Sequence, residues 1–298
     1  MILFDQPDTG IVNSILLDFN GTGDSYIPEF QNSVSGYNKK TVRNSHFTAT
    51  GFEDDQCAYC FLSYINPDDN SLSFAKQAQQ VFQRIDTALA SFEMDFYNVV
   101  RTWFYIKDIL RWYDDFNTIR NEIFTRKGLF DRLVPASTGI GILRYPYALT
   151  CRVLAIKPKT DSIKIREAAS PLQCAAMDYK SAFSRAVLVS SDNAETLLVS
   201  GTASINPGGD TAHLADITGQ IDLTLKVADE ILRAQGMGRN HITRGIAYFR
   251  EKKYIQDFIR YCGSRQLNPG IFHHTVNTVC RDNLLFEIEF DAVKPRRI

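Results

Sequence analysis

No stretch of the chain approaches 18 consecutive apolar residues, so no membrane-spanning helix is expected. Neither sign of charge is in excess: 33 Lys and Arg against 34 Asp and Glu give a net charge of −1. That argues against the basic surface on which general nucleic-acid affinity rests. No GxGxxG, P-loop or HExxH pattern occurs. Cysteine is sparse, with six in the chain. Only Cys57-Ala-Tyr-Cys60 has a metal-like or redox-like spacing, and neither a second pair nor a nearby histidine follows it. These read as reduced cytosolic thiols. The start, Met-Ile-Leu-Phe-Asp-Gln, has no basic residue and an acid at position 5, which makes a poor secretory leader. A cytoplasmic location is the expectation.

What is present is ordinary globular material. In 298 residues, 44% are hydrophobic and 22% charged, which suits two domains or one large one. The most informative feature is internal similarity. Ser63-Tyr64-Ile65-Asn66-Pro67 reads like Ala203-Ser204-Ile205-Asn206-Pro207, and Asn98-Val99-Val100-Arg101-Thr102-Trp103-Phe104-Tyr105 like His241-Ile242-Thr243-Arg244-Gly245-Ile246-Ala247-Tyr248. Between these anchors Phe74, Ala78, Val81, Phe82, Ile85, Leu89 and Phe92 recur at helical spacing. So do Ile217, Ile221, Leu225, Ala228 and Ile231, with Gly236 and Gly238 marking an end. Strands are expected at 99–106, 150–156, 197–205 and 284–293, and further helices at 109–124 and 254–261.

Each copy therefore reads strand, hairpin, helix, strand, helix, strand. The class is α+β, with two tandem domains, each a mixed β-sheet with two helices packed on one face. The polar stretch Lys157-Pro158-Lys159-Thr160-Asp161-Ser162 separates them. The expected division is an N-terminal extension (1–50), a first domain (51–160) and a second (161–298). The extension is rich in Gly, Asn and Ser and is expected to cover an edge or a cleft.

Several polar residues stand out against this frame. Tyr113 and Arg120 are seven apart, two turns along one helix face, so a phenol and a guanidinium can share a pocket. The same spacing suits a solvated arginine beside a half-buried tyrosine. Arg185 falls in an alternating segment, 181–187, read as a strand; an inward arginine there needs a bound carboxylate or an internal acid. Tyr179 lies six residues upstream and offers a hydroxyl. Arg144 is a further cation without a motif. Glu287 and Glu289 share one face of an apolar strand while Phe286, Ile288 and Phe290 take the other. A desolvated acid there would keep its proton, as a general acid requires; a solvent-facing strand fits the pattern equally. His273 and His274 point to opposite faces, so at most one can join a site. Trp103 and Trp112 read as core, and the Lys252-Lys253 and Arg296-Arg297 pairs as solvated.

The order of elements, the Asn-Val-Val-Arg-Thr start and the terminal Glu287-Ile288-Glu289 resemble the YjgF/RidA superfamily, whose domains are chorismate-mutase-like. The likeness covers about residues 56–157 and 171–293. Simple members are enamine/imine deaminases that use an arginine just after a proline. Here Pro135-Ala136-Ser137 has serine at that place, and Pro269-Gly270-Ile271 has no arginine either, so a RidA-type deaminase is the weaker reading. Four segments are similar to the chorismatase branch: residues 112–120, Pro135 to Gly141, Phe183-Ser184-Arg185-Ala186, and Cys280-Arg281-Asp282-Asn283-Leu284-Leu285-Phe286-Glu287-Ile288-Glu289.

That resemblance implies a cofactor-independent enzyme for chorismate, a dianion, with Glu287 as catalytic acid and Tyr113, Arg120, Tyr179 and Arg185 as binding residues. Glu287 would protonate the enolpyruvyl methylene and pyruvate would leave. Water attack would give a dihydroxycyclohexadiene carboxylate. Attack by a ring hydroxyl would give 3-hydroxybenzoate. In the family small residues accompany the second outcome; here they look like Gly201 and Cys280, which favours 3-hydroxybenzoate. A non-catalytic carboxylate-binding tandem protein is the remaining alternative. Simple members are trimers, so a monomer or a homotrimer is expected.

Overall fold

The computed structural model describes residues 36–296, with residues 15–16, 27 and 31–32. Two short strands, β1 (Ile15–Leu16) and β2 (Gln31–Asn32), pair with each other. The first copy comprises β3 (Tyr37–Arg43), β4 (Thr48–Glu53), β5 (Cys57–Ile65), α1 (Phe74–Ala90), β6 (Val99–Lys107), α2 (Ile109–Arg126), β7 (Ala136–Ile142) and β8 (Leu149–Pro158). The second comprises β9 (Lys164–Ala168), β10 (Ala186–Ser190), β11 (Ala194–Ala203), α3 (Ile217–Ala234), β12 (Ile242–Phe249), α4 (Lys253–Ser264), β13 (His273–Val276) and β14 (Phe286–Pro295). The sheet orders are β3-β4-β5-β8-β6-β7 and β13-β12-β14-β11-β10-β9. Read from opposite ends, these are one topology. In each, one pair (β6 with β7, β12 with β13) is parallel and the rest antiparallel, which makes both sheets mixed.

The helical spacing read from the sequence becomes packing. Ala78, Val81, Phe82, Ile85 and Leu89 of α1 and Phe116, Ile119, Ile123 and Phe124 of α2 close one core against the first sheet. Ile221, Leu225, Ala228 and Ile231 of α3 join Phe258 and Cys262 of α4 over Phe286, Ile288 and Phe290. The opposite sheet faces meet each other. Tyr59, Val100 and Ile156 of the first copy share a cluster with Val187, Val189 and Leu198 of the second. Trp103, Tyr105 and Ile140 share another with Ile246 and Tyr248. Side chains on a strand alternate, so buried polar residues that face away from the helices on the central strands point into this seam between the copies.

The structure differs from the sequence reading in three places. First, β3 and half of β4 lie within residues 36–50, a stretch that the sequence leaves as an extension. Only one face of β4 is apolar, and Gly51 lies so close to the Phe92 ring that a methyl there would sit 2.3 Å from it. A strand built that way does not read as one. On β3, Lys39, Lys40 and Arg43 protect an edge. The rest of the first 35 residues falls almost wholly outside the described ones.

Second, residues 181–185 are not a strand. Ser184 makes a parallel bridge to Ala136 of the first copy, and its carbonyl accepts from the Ser200 hydroxyl at 2.6 Å. The chain crosses the seam there and joins its own sheet only at Ala186. Third, the ladders pair Ile65 with Cys151 and Thr202 with Ile288, and β5 and β11 each carry an irregularity just before. Ile65 and Thr202 thus hold equivalent places, and the sequence likeness of Ile65 to Ile205 runs ahead of the structural match.

Candidate active site

The seam holds the site. β7 of the first copy lies along β11 of the second: the Ser137 amide donates to Ser200 Oγ at 2.8 Å, and the Gly201 amide to Thr138 Oγ1 at 3.0 Å. Beside this junction α2 supplies side chains from one copy and β14 from the other. The seven residues singled out by sequence, Tyr113, Arg120, Tyr179, Arg185, Gly201, Cys280 and Glu287, all line one pocket there. Its non-atom space, open solvent at the mouth included, is about 520 Å³.

Glu287 projects from β14 into the seam and is 4% exposed. Among the described residues no side chain hydrogen-bonds its carboxyl. Burial, and then the neighbouring Glu289, push its pKa up to about 8, against the pull of Arg101 and Arg185. It therefore holds its proton at neutral pH. The first copy has no counterpart: the ladders place Tyr105 opposite Thr150, and Tyr248 opposite Glu287.

The cations come from both copies. Arg120, on α2, is 2% exposed; its Nη2 donates to Asn117 Oδ1 at 2.7 Å and its guanidinium lies 5.0 Å from the Phe116 ring centre. Its buried Nε has no hydrogen-bond partner. Burial depresses its pKa, with Tyr113 the strongest opposing neighbour. Arg185 is 3% exposed and donates through Nε and Nη2 to the Cys174 carbonyl at 3.1 and 2.9 Å. The internal acid that the sequence left as the alternative to a bound carboxylate forms no ion pair with it among the described residues.

Arg281 also lines the pocket, and the sequence reading did not select it although it follows Cys280 directly. It donates to the Gly209 carbonyl at 2.8 Å, and its guanidinium lies 5.2 Å from the Tyr179 ring centre, with that of Arg185 at 5.4 Å. Among the described residues none of these three arginines forms an ion pair with an acid. Tyr113 and Tyr179 are held neutral by burial, and the Cys280 thiol is pushed up to about 12 by burial and by Glu287. Three guanidinium charges thus face one protonated acid, an arrangement whose charge is able to balance an anion with more than one carboxylate.

Gly201 has a specific reason to lack a side chain. A methyl there would lie 2.1 Å from Glu287 Oε1. Gly201→Ala should therefore swing the acid out of line and lower turnover by about 10²-fold, with a melting temperature close to wild type. Steady-state kinetics and a thermal melt check both parts.

Other candidates fall elsewhere. Arg144 is exposed and away from the pocket wall. His274 packs on Phe249 and Phe258 on the helix side. His273 is half-buried, with its pKa lowered to about 4 by desolvation, and does not line the pocket. Trp112 stacks on Phe74 in the core at 5.0 Å, whereas Trp103 has a polar duty described below. Lys252 and Lys253 are exposed; Arg296 bonds Ser191 and Glu195, and Arg297 lies outside the described residues. Cys57 and Cys60 are buried thiols. Among the described residues no group of three His, Cys, Asp or Glu could hold a metal ion, and no helix is long and apolar enough to cross a membrane.

Residues 65–156 match the family model described as Endoribonuclease L-PSP. A protein named Chorismatase from Streptomyces rapamycinicus is 29% identical over 220 residues, spanning 64% of this chain and 63% of that protein. Another of the same name, from Streptomyces hygroscopicus, is 27% identical over 214 residues, spanning 64% and 60%. The chain thus covers less than two thirds of the length of these curated relatives. A crystal structure of a chorismatase superposes with a TM-score of 0.68 at 20% identity, over 85% of this chain and 79% of that one. It shares the tandem fold.

Proposed function

We propose that this chain, a tandem member of the YjgF/RidA superfamily on its chorismatase branch, removes pyruvate from chorismate. The observation that carries the reading is a buried carboxylic acid, Glu287, still protonated at neutral pH, in a pocket whose other charges are three arginines without acid partners. Chorismate carries a ring carboxylate and an enolpyruvyl carboxylate, and the arginines suit both. Glu287 donates its proton to the enolpyruvyl methylene carbon. Positive charge then develops on the ether carbon as Glu287 becomes an anion beside it, which lowers the barrier electrostatically. The bond between the ether oxygen and the ring carbon breaks, pyruvate leaves with that oxygen as its keto oxygen, and the neighbouring ring hydroxyl bonds to the freed ring carbon while its proton returns to Glu287; the epoxide so formed opens to the aromatic product.

The favoured product is 3-hydroxybenzoate, formed when a ring hydroxyl rather than water attacks. Chorismate then divides into pyruvate and 3-hydroxybenzoate with nothing gained or lost; attack by water would add one water and give a dihydroxycyclohexadiene carboxylate. Support comes from Gly201 and Cys280, the two small residues beside Glu287. The same reading has the enzyme working without a metal or organic cofactor, in the cytoplasm, as a monomer or homotrimer. A RidA-type deaminase is disfavoured because Ser137, on the pocket wall, occupies the place of that family's arginine.

Purified protein incubated with chorismate, with pyruvate read by a coupled reductase and the aromatic product by chromatography, tests this. Pyruvate and 3-hydroxybenzoate in equal amounts are expected. No pyruvate at high enzyme concentration would reject the reading, and tight binding of small carboxylic acids without turnover would replace it with a binding protein.

A further inference from the structure

Directly behind the pocket, along the same face of β14, lies a buried ion cluster that the chemistry above does not use. Arg101 on β6 and Arg244 on β12 hold matching places in the two copies. Each follows a register shift in its strand, at Val99/Arg101 and at Ile242/Arg244, and a bulge of that kind re-aims the next side chain. Both arginines converge on Glu289, which is fully buried. Arg101 Nη2 donates to its Oε2 at 2.8 Å, and Arg244 Nη1 to its Oε1 at 3.1 Å. Trp103 Nε1 donates to Oε1 at 2.9 Å.

Other donors of the two guanidiniums are committed elsewhere, and Arg101 Nε is buried without a hydrogen-bond partner. Arg101 also bonds Thr138 Oγ1 and the Thr102 carbonyl, and Arg244 clasps both carboxylate oxygens of Asp291 at 2.7 and 3.2 Å. Two cations thus face two anions, and none of the cluster's hydrogen bonds reaches Glu287. In the first copy Arg152 stands where Glu289 stands in the second, because Trp103 pairs with Arg152 and Ile246 with Glu289.

An acid this well satisfied stays ionised: the arginines and the hydrogen bonds outweigh its burial. Two residues along the same strand face, it repels a second negative charge at Glu287. We propose that Glu289 is a positioning residue for the catalytic proton: locked as an anion by an arginine from each copy, it keeps Glu287 protonated. Docking of the two copies and loading of the acid are thereby one event. The other groups facing Glu287 are Arg101 from β6, Arg185 ahead of β10, Tyr248 from β12, Cys280 and Arg281 ahead of β14, Tyr113 and Arg120 from α2, and Tyr179 across the pocket. Of these only the arginines are charged at neutral pH, and a cation favours the ionised form, so Glu289 is the one charge that opposes it.

This rests on Glu287 being the proton donor, and two readouts separate the ideas. The first is the pH profile of kcat/KM on chorismate for wild type and Glu289→Gln. Wild type should be flat below about pH 8 and fall above it as Glu287 ionises. In Glu289→Gln the midpoint should drop by about one pH unit or more, with KM at low pH changed little. A loss equal at every pH, with the midpoint unmoved, would show a merely structural role and overturn the proposal.

The second readout needs no turnover. Protein labelled with ¹³C at glutamate carboxyls is titrated by NMR, with Glu287 assigned by its absence in Glu287→Gln. The same downward shift is expected whether or not chorismate is the substrate, so failure of the substrate reading leaves this test intact. Should Glu289→Gln not fold, the double variant Arg244→Met/Glu289→Met removes the acid together with one of its arginine partners, and the Glu287 midpoint should still drop. An unchanged or raised midpoint there would equally overturn the proposal.

Discussion

Glu287→Gln is expected to lower kcat for pyruvate release by ~10²–10⁴-fold while KM changes little. Glutamine copies the shape and the resting charge of a protonated glutamic acid but has no proton to give. Because Glu287 is neutral when the pocket is empty, the substitution leaves no arginine newly unpaired. Stability supplies a second signature with a definite sign. The folded-state pKa of Glu287, about 8, lies above its ordinary 4.5. The stability linked to its proton is therefore fully present below pH 4.5 and is lost as pH rises through 8. Glutamine does not titrate. The melting temperature of Glu287→Gln relative to wild type should thus climb between pH 4.5 and 8 and stay constant below that range. Unimpaired turnover in Glu287→Gln would remove the acid from the mechanism, and a difference in melting temperature independent of pH would remove its raised pKa.

Arg120→Met is the second large effect. Arg120 is almost fully buried, has no acid partner among the described residues and leaves its Nε without a hydrogen bond. Such a charge costs folding energy that is recovered only when a ligand carboxylate arrives. Methionine has similar reach and fills the space over Phe116 and Phe183 without the charge. The expected result is a KM raised by about 10–10²-fold, corresponding to the loss of a charged hydrogen bond of ~1.5–3 kcal/mol. The melting temperature should be equal to or above wild type. A clear drop in melting temperature with KM unchanged would make Arg120 a structural residue instead.

Much of this was readable in the sequence because it depends on periodicity. The apolar faces of α1 and α3 and the two-residue alternation of Phe286, Ile288 and Phe290 against Glu287 and Glu289 are local, and local spacing fixes which side a residue faces. Tyr113 and Arg120 came out on one wall for the same reason. What spacing does not encode is which distant face each one meets. Nothing around Arg101 or Arg244 says that both end on Glu289, since that contact joins segments far apart in the chain.

Spacing does not select Arg281, which lies ahead of β14 and outside the alternation that marks Glu287 and Glu289. The surroundings of Arg185 alternate as a strand does, whereas the chain there crosses between sheets. The edge formed by β3 and β4 was hidden by polar, Gly-bearing composition, which suits a strand with one solvated face as well as it suits a loop.

The central claim is that a buried acid adds its proton to the enolpyruvyl methylene carbon of chorismate. Turnover of chorismate in D₂O, with the released pyruvate analysed by mass, tests it most directly. One deuterium in the methyl group of pyruvate formed by wild type, and almost no pyruvate from Glu287→Gln, is the predicted result. Consumption of chorismate without pyruvate, or pyruvate formed equally fast by Glu287→Gln, would contradict it.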